Sequence, residues 1–391
     1  MQGKKAIVLG AGLQGKALAL DLLKGDTFSK VTATDIREEE LKKLEKKSNG
    51  KIETKKMDIT NREEAVEIIK EYDVAANSLP EKISDEGLMA ATEAGTHLTE
   101  VTAYGPDKRV EMADDFEEAG IKVVPGCGYV PGITNALVGH AVSKLDNTKN
   151  VVVHAGGNLQ NPKPPIYYKI LFSLESVLTE YTTNPRAIKN HEIERVEAFG
   201  EREKIEFPEV FDEPLVSFAA DELHTMSFTL KDDIENMITK APRFKGHMKY
   251  FDTLIHAGML SDEPTEMNGE VVKPREIIRK QLEPKMKMEK DERDVSLTRL
   301  IIEGKQDGRD TKLTYKMIDY YDEENNITSM ARCTAYPAAI AARMIVNDDI
   351  EGVGLKPVEL ELGKNEENFK KLMKELRKRD IRVNESVEKP L

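Results

Sequence analysis

Short apolar runs alternate with amphipathic, highly charged stretches along the first 125 residues. The run at 5–9 is continuously apolar and lies between lysines and a glycine, which is typical of a parallel strand buried on both faces. Further strands are predicted at 30–35, 52–58, 72–76, 97–101 and 121–124, with helices between them at 13–23, 38–47, 63–70, 88–94 and 112–119. This alternation predicts an α/β fold with a doubly wound, parallel Rossmann sheet.

The pattern changes after residue 125. Strand-like stretches lie at 151–154, 226–230, 296–303 and 312–319, and the last two are separated by a turn-like segment at 304–308. Consecutive strands without intervening helices predict a second α+β domain with a mixed, largely antiparallel sheet. Helical patterns are found at 135–145, 337–344 and 367–378.

A glycine-rich turn follows the first predicted strand. Gly10-Ala11-Gly12-Leu13-Gln14-Gly15 fits G-x-G-x-x-G and opens the first predicted helix. In this motif the first glycine allows the tight turn, the second lets the backbone approach a pyrophosphate, and the third lets the helix pack on the sheet. The helix N-terminus at Leu13 and Gln14 offers free N–H groups to the phosphates. These features predict a dinucleotide site, with a glycine-rich turn that binds nothing as the alternative.

The second predicted strand ends at Asp35, which lies 20 residues beyond Gly15. A carboxylate at this spacing accepts hydrogen bonds from the adenosine ribose and repels a 2′-phosphate, so NAD is predicted as the cofactor. Arg37, just past Ile36, is able to accommodate that phosphate, which keeps NADP as the less favoured alternative.

Loops after the later strands are predicted to line the same crevice, because the carboxyl ends of parallel strands meet at one edge. The residues assigned to the cofactor in these loops are Asp58, Ile59, Asn77, Ser78, Leu79, Gly126, Cys127 and Gly128. Asp58 is expected near the adenine amino group and Cys127 near the nicotinamide.

Composition excludes several classes of protein. The formal net charge of −13 disfavours nucleic acid as a partner, because phosphate contacts need clustered Lys and Arg. No apolar run approaches the length of a membrane-spanning helix. The two cysteines, Cys127 and Cys333, exclude a disulfide framework, and the histidines form no metal-binding pattern, so no metal is predicted. The N-terminus reads as a strand and not as an export signal, which predicts a cytoplasmic protein.

The segment at 125–135 (PGCGYVPGITN) resembles the saccharopine dehydrogenase superfamily, in its saccharopine reductase-like branch. Further segments, in order, are similar to lysine 6-dehydrogenases: 157–173, 180–182, 243–247 (RFKGH), 254–260 (LIHAGML) and 330–342. The resemblance implies a Rossmann domain at 1–128, a substrate and dimerisation domain at 129–334, and C-terminal helices at 335–391 that pack back on the Rossmann domain. It also implies a homodimer and hydride transfer between a C–N bond and a nicotinamide.

The lysine 6-dehydrogenase resemblance implies oxidation of the ε-amine of L-lysine to the 6-semialdehyde, which cyclises to piperideine-6-carboxylate, with release of ammonia. The alternative is a saccharopine reductase or carboxynorspermidine synthase-like enzyme that joins an amine to a carbonyl compound. His224 occupies a segment where saccharopine reductases carry a carboxylate-binding arginine, which counts against saccharopine itself. A dinucleotide-binding scaffold protein without turnover is the third hypothesis.

An amine must lose a proton before it is oxidised, and a free ε-amine has a pKa of about 10.4. The predicted candidates for the base or its proton path are Glu100, Tyr104, Lys169 and His224. A second set is predicted to bind the substrate. Arg243 is expected to clamp a carboxylate, with His247 and Ser173 beside it.

Overall fold

The structure is a computed structural model that describes residues 3–101 and 105–389. The first part of the chain contains β1 (Lys4–Leu9), α1 (Leu13–Leu22), β2 (Phe28–Asp35), α2 (Glu38–Lys47), β3 (Glu53–Lys56), α3 (Arg62–Ile69), β4 (Val74–Asn77), α4 (Glu81–Glu93), β5 (His97–Glu100), α5 (Pro106–Glu111), α6 (Ala113–Glu118) and β6 (Lys122–Val124). Its strands form a parallel sheet, which confirms the predicted Rossmann fold. The strand order β6-β5-β4-β1-β2-β3 reverses between β1 and β4 and opens a crevice there.

The second part is built on a mixed sheet. Its elements are α7 (Ile133–Lys144), β7 (Asn147–Leu159), α8 (Leu174–Thr182), β8 (Arg186–Lys189), β9 (Glu192–Arg195), β10 (Glu203–Ile205), β11 (Leu215–Ala219), α9 (Met226–Thr229), β12 (Ile234–Arg243), α10 (Lys245–His256), β13 (Thr265–Met267), β14 (Glu270–Val272), α11 (Pro274–Met286), β15 (Asp294–Gln306) and β16 (Arg309–Tyr320). Only the β7–β12 pair in this sheet is parallel among the described strands, so the predicted mixed, largely antiparallel sheet is confirmed.

The C-terminal part joins both sheets. It comprises α12 (Ser329–Val346), β17 (Gly354–Leu355), a π-helical segment (Glu359–Lys364), α13 (Glu366–Lys378) and β18 (Val383–Glu388). Helix α12 packs on α1, and β17 extends the parallel sheet beside β6, as expected for a segment that returns to the Rossmann domain. The final strand differs from the prediction, because β18 pairs with β16 in the second sheet.

One predicted strand is wrong. Residues 226–230 contain the short helix α9, and the side chains of Met226 at its start and Leu230 just after its end are both buried. Thr229 donates its hydroxyl to the carbonyl of Thr225 within the same turn. A run of apolar and β-branched residues this short does not distinguish a strand from a buried helical turn.

No helix in the described ranges is long and apolar enough to cross a membrane.

Candidate active site

A cavity of about 1200 Å³ lies between the carboxyl edge of the Rossmann sheet and the second sheet. The Rossmann wall contains the predicted cofactor residues Gly10, Gly12, Leu13, Gln14, Asp35, Ile36, Arg37, Asp58, Ile59, Ser78 and Leu79. The opposite wall contains Tyr129, Val130, Ala155, Gly156, Gly157, Glu180, Glu222, Ala241 and Arg243. The cavity therefore joins a nucleotide-sized groove to a polar chamber in the second domain.

The glycine-rich turn has the shape that a dinucleotide requires. Gly10 has a φ of +91°, which only glycine adopts readily. A Cβ atom at Gly15 would lie 1.8 Å from the carbonyl oxygen of Gly10, so α1 packs directly on the turn. A Cβ atom at Gly12 would meet no atom within 4 Å. The space in front of Gly12 is thus open to the cavity, and the residues fit a pyrophosphate at the N-terminus of α1.

Asp35 is fixed at the end of β2 before any ligand binds. Its carboxylate accepts hydrogen bonds from the backbone N–H of Ala11 and from the backbone and guanidinium of Arg37. Burial alone would raise the pKa of Asp35, but the hydrogen bonds from Arg37 and Ala11 outweigh it and lower the pKa. Asp35 is therefore an anion at the position where the ribose is expected.

Several predicted cofactor residues shape the site without lining it. Asn77 donates to the carbonyl of Ser84 and accepts from the N–H of Leu79, so it holds the loop after β4. Cys127 is buried between Gly126 and Gly128, and burial raises the pKa of its thiol to about 12. None of these three turn residues lines the cavity, whose wall here is formed by Tyr129 and Val130.

The predicted bases lie away from the cavity wall. Glu100 is buried in an ion pair with Arg109, at 2.6 Å and 3.1 Å. Lys169 donates to the carbonyl oxygen of Lys287 at 3.1 Å and lies 3.3 Å from Glu292. Glu100 is thus held in a buried ion pair, whereas Lys169 contacts Lys287 and Glu292, which line the cavity. A role of either side chain as the base stays a prediction.

Of the two other candidate bases, only His224 lies among the described residues, and it is not part of the cavity wall. His224 is buried, and burial and then Arg109 and Arg186 lower its pKa to about 3. It is a neutral side chain that does not line the cavity. Tyr104 lies outside the described residues.

The predicted substrate-binding residues divide into two layers. Arg243 and Ser173 line the cavity, whereas His247 lies behind the wall. Burial lowers the pKa of His247 to about 3, so its ring is neutral. With Nδ1–H donated to the carbonyl of Ile166, Nε2 accepts the hydroxyl of Tyr181 at 2.8 Å. That hydroxyl accepts from Nε of Arg243 at 3.3 Å, so His247 positions the guanidinium and has no access to a substrate.

Arg243 is further fixed by its pairing with Glu180. The Nη2 atom of Arg243 lies 3.2 Å from the Glu180 carboxylate, and the guanidinium lies 4.7 Å from the centre of the Tyr168 ring. A Cβ atom at Gly156 would come within 2.9 Å of Nη1 of Arg243, so the guanidinium packs directly against the backbone of Gly156, where a side chain would crowd it. Arg243 is thus a rigid, already neutralised cation.

A second carboxylate stands beside this pair. Glu222 follows β11, lines the cavity and has a buried Oε2 atom with no hydrogen-bond partner among the described residues. With both carboxyl groups ionised, Glu222, Glu180 and Arg243 leave one formal negative charge in excess. Burial raises the pKa of both carboxyl groups, and Arg243 alone among the described residues opposes that rise. Such a wall favours a cationic group, because an ammonium supplies the missing charge and the missing donors.

Sequence reasoning missed Glu180 and Glu222 as site residues. Glu180 stands on the buried side of α8, among Leu174, Val177 and Tyr181. A carboxylate at a helix position otherwise occupied by apolar residues is a detectable signal of a buried polar site. Glu222 carried no comparable signal, since it occupies an irregular loop between a strand and a short helix.

The groove and the polar chamber define a dinucleotide-dependent oxidoreductase. Residues 6–124 match the family model described as "Saccharopine dehydrogenase NADP binding domain", and residues 128–381 match "Saccharopine dehydrogenase C-terminal domain". The chain therefore belongs to the saccharopine dehydrogenase family, whose members are NAD(P)-dependent oxidoreductases that act on C–N bonds.

Individual relatives are distant. The chain is 25% identical to a carboxynorspermidine synthase of Vibrio alginolyticus over 77% of this chain and 78% of that protein. It is 22% identical to the NADP-dependent, L-glutamate-forming saccharopine dehydrogenase of Saccharomyces cerevisiae, over 90% and 93%. The solved structure of an apo, L-glutamate-forming saccharopine dehydrogenase from the same yeast has the same fold, with a TM-score of 0.80 at 20% identity, over 99% of this chain and 100% of that one.

Proposed function

We propose that the protein is an NAD-dependent amine dehydrogenase that oxidises the ε-amine of L-lysine and releases ammonia. The observation that carries this proposal is the acidic wall formed by Glu180 and Glu222, where Arg243 is already paired. A substrate that carried a carboxylate into this wall would meet excess negative charge. A terminal ammonium would instead be attracted and would satisfy the unpartnered oxygen of Glu222.

Residues on the Rossmann side of the cavity would bind the cofactor, and residues on the opposite wall would orient the substrate. The N-terminus of α1, with Gly12, would hold the pyrophosphate, and Asp35 would hold the adenosine ribose. Bound NAD supplies the hydride acceptor. Tyr129 and Val130 close the wall beside the Rossmann edge, while Arg243 and Glu180 orient the polar end of the substrate.

The overall reaction balances without another oxidant. One R–CH₂–NH₃⁺, one NAD⁺ and one water give R–CHO, NH₄⁺, NADH and one proton. The amine nitrogen first loses a proton, and its lone pair forms the C=N bond as the hydride leaves carbon. Water then replaces nitrogen at that carbon.

The lysine carboxylate needs a position away from the acidic wall. Lys287 and Lys290 line the mouth of the cavity and are exposed. These ammonium groups are the candidates to bind the carboxylate that trails the reacting amine of an amino acid, and Glu283, Glu289 and Glu292 line the same cavity.

A carboxynorspermidine synthase-like reaction is the second candidate. The relative from Vibrio alginolyticus supports it, and an acidic wall also suits a diamine. This alternative requires a carbonyl compound as well as an amine, so it forms a secondary amine when both are supplied with reduced cofactor.

The two reactions are separated by one assay with the purified protein. We expect NADH absorbance and stoichiometric ammonia with NAD and L-lysine alone, at alkaline pH. Ornithine, saccharopine and carboxynorspermidine are the comparison substrates. If lysine gives no NADH but carboxynorspermidine is oxidised, the second candidate function is supported instead. If none of the substrates gives NADH, both candidate functions are refuted.

The cofactor preference gives a separate prediction. Asp35→Asn keeps an acceptor for the Ala11 N–H but removes the negative charge and frees Arg37, so binding of NADP should improve relative to NAD by about tenfold to a hundredfold. Dissociation constants for the two cofactors measure this ratio. Glu38→Gln removes an exposed carboxylate on the same edge and should leave the ratio unchanged. An unaltered ratio in Asp35→Asn would contradict the assignment of Asp35 to the ribose.

A further inference from the structure

Glu222 combines a cavity position with an unused buried oxygen. Its backbone is anchored, since its N–H contacts the hydroxyl of Thr239 at 3.2 Å and the carbonyl of Ala220 at 3.0 Å. The side chain lines the cavity, and no partner among the described residues satisfies Oε2. We infer that Glu222 is the general base that takes the proton from the substrate ammonium before hydride transfer. This inference rests on the proposed amine oxidation.

Glu180 is the competing carboxylate, and its contacts exclude it from this role. Both of its oxygens lie within 3.4 Å of Nη2 of Arg243, whose guanidinium is fixed in turn by Tyr181. Burial raises the pKa of Glu180 and Arg243 opposes that rise, but both carboxylate oxygens already accept hydrogen bonds from the guanidinium and are not free for a substrate. Oε2 of Glu222, in contrast, has no hydrogen-bond partner in the part of the chain that the structure describes.

The charged groups around Glu222 adjust its basicity. They are Glu180 on α8, Arg243 at the end of β12 and the adjacent Asp221. Burial, and then Glu180 and Asp221, raise the pKa of Glu222 well above its usual value, while Arg243 opposes them. A carboxylate with a raised pKa accepts a proton from an ammonium more readily than an ordinary glutamate does.

The proton step transfers one proton from the substrate nitrogen to Glu222. The N–H bond of the ammonium breaks, its electron pair stays on nitrogen, and the proton passes to a carboxylate oxygen of Glu222. The neutral amine then has the lone pair that forms the C=N bond. Release of this proton to solvent after each turnover accounts for the proton in the overall balance.

The test is the pH dependence of kcat/KM for Glu222→Gln with L-lysine and NAD. We expect a loss of at least about a hundredfold near pH 8, because general bases typically contribute that much or more. Activity should recover substantially toward pH 10.5, since free amine then becomes abundant (a pKa of about 10.4). In the unaltered protein kcat/KM should instead fall only when the pH drops below the pKa of Glu222, which is lower than that of the substrate amine.

Glu213→Gln is the control. Glu213 is exposed, does not line the cavity and has no ion pair among the described residues. Removing its charge should leave both kcat/KM and its pH profile close to those of the unaltered protein. A profile for Glu222→Gln that matches this control would overturn the inference.

Stability distinguishes a base from a structural residue. Glutamine has nearly the same shape and removes a buried charge, so Glu222→Gln should fold at least as well as the unaltered protein and bind NAD equally. The pKa of Glu222 is higher in the folded state than in the unfolded state. Ionisation of Glu222 therefore lowers the free energy of unfolding as the pH rises above its pKa in the unfolded state. The melting temperature of Glu222→Gln should therefore gain on that of the unaltered protein with rising pH. A marked loss of stability would show that Glu222 has a structural role and would overturn the inference.

The inference and the proposed function fail differently. If the unaltered protein oxidises no amine in the panel, the proposed function falls and the base has no reaction to serve. If the unaltered protein oxidises lysine while Glu222→Gln keeps its rate near pH 8, only the assignment of Glu222 falls.

Discussion

Asp21→Asn should lower the free energy of unfolding by about 3–5 kcal/mol, the typical effect of removing one partner from a buried charge cluster. Asp21 is fully buried in α1, and its carboxylate accepts from Arg379 at 2.8 Å and 2.9 Å and from Arg343 at 3.0 Å. Arg343 belongs to α12 and Arg379 follows α13. One carboxylate thus fastens the C-terminal segment to the Rossmann domain.

The asparagine variant leaves the guanidinium of Arg343 without its counter-charge and removes one of the two carboxylates that pair with Arg379, the other being Glu375. Thermal unfolding and limited proteolysis of the C-terminal segment measure the effect, and both should show early loosening of α12 and α13. Asp26→Asn is the control, because Asp26 is exposed a few residues further along and has no ion pair among the described residues. Equal melting temperatures for the two variants would show that the cluster is not needed to dock the segment.

Gly15→Ala should disrupt both the fold of the turn and cofactor binding. Its Cβ atom would lie 1.8 Å from the carbonyl oxygen of Gly10, which is backbone and has no rotamer to change. Helix α1 must therefore move away from β1, at a typical cost of about 1–3 kcal/mol for an overpacked site. We expect a lower melting temperature without cofactor and the loss of the rise in melting temperature that NAD produces.

Gly12→Ala separates the two effects. Its Cβ atom meets nothing within 4 Å, so the variant should melt like the unaltered protein when no cofactor is present. The added methyl group occupies the space through which the pyrophosphate approaches, so NAD should raise its melting temperature much less. Undiminished stabilisation of Gly12→Ala by NAD would place the phosphates elsewhere.

The Rossmann half was predictable because each of its signals is local. Buried parallel strands give continuous apolar runs such as 5–9, and the tight turn at Gly10 requires glycine for steric reasons. The spacing from Gly15 to Asp35 follows from one helix and one strand. These features act over about 30 residues or fewer, so no distant contact is needed to recognise them.

The polar chamber in the second domain was predicted only in part, because its residues come from separate elements. Arg243 was found through the resemblance of its segment, but its partner Glu180 lies 63 residues away and Glu222 lies in a loop. Glu100 was predicted as a base from its place at a strand end. The sequence does not show that Arg109, nine residues later, turns back to pair with it.

The most direct test of the account is the fate of deuterium from L-lysine labelled with two deuterons at the ε-carbon. We expect one deuteron on the nicotinamide ring of the NADH formed, the other in the cyclised aldehyde, and one ammonia released for each NADH. Mass spectrometry of both products measures this transfer. Unlabelled NADH from this substrate, together with labelled NADH from L-lysine deuterated at the α-carbon, would contradict oxidation of the ε-amine.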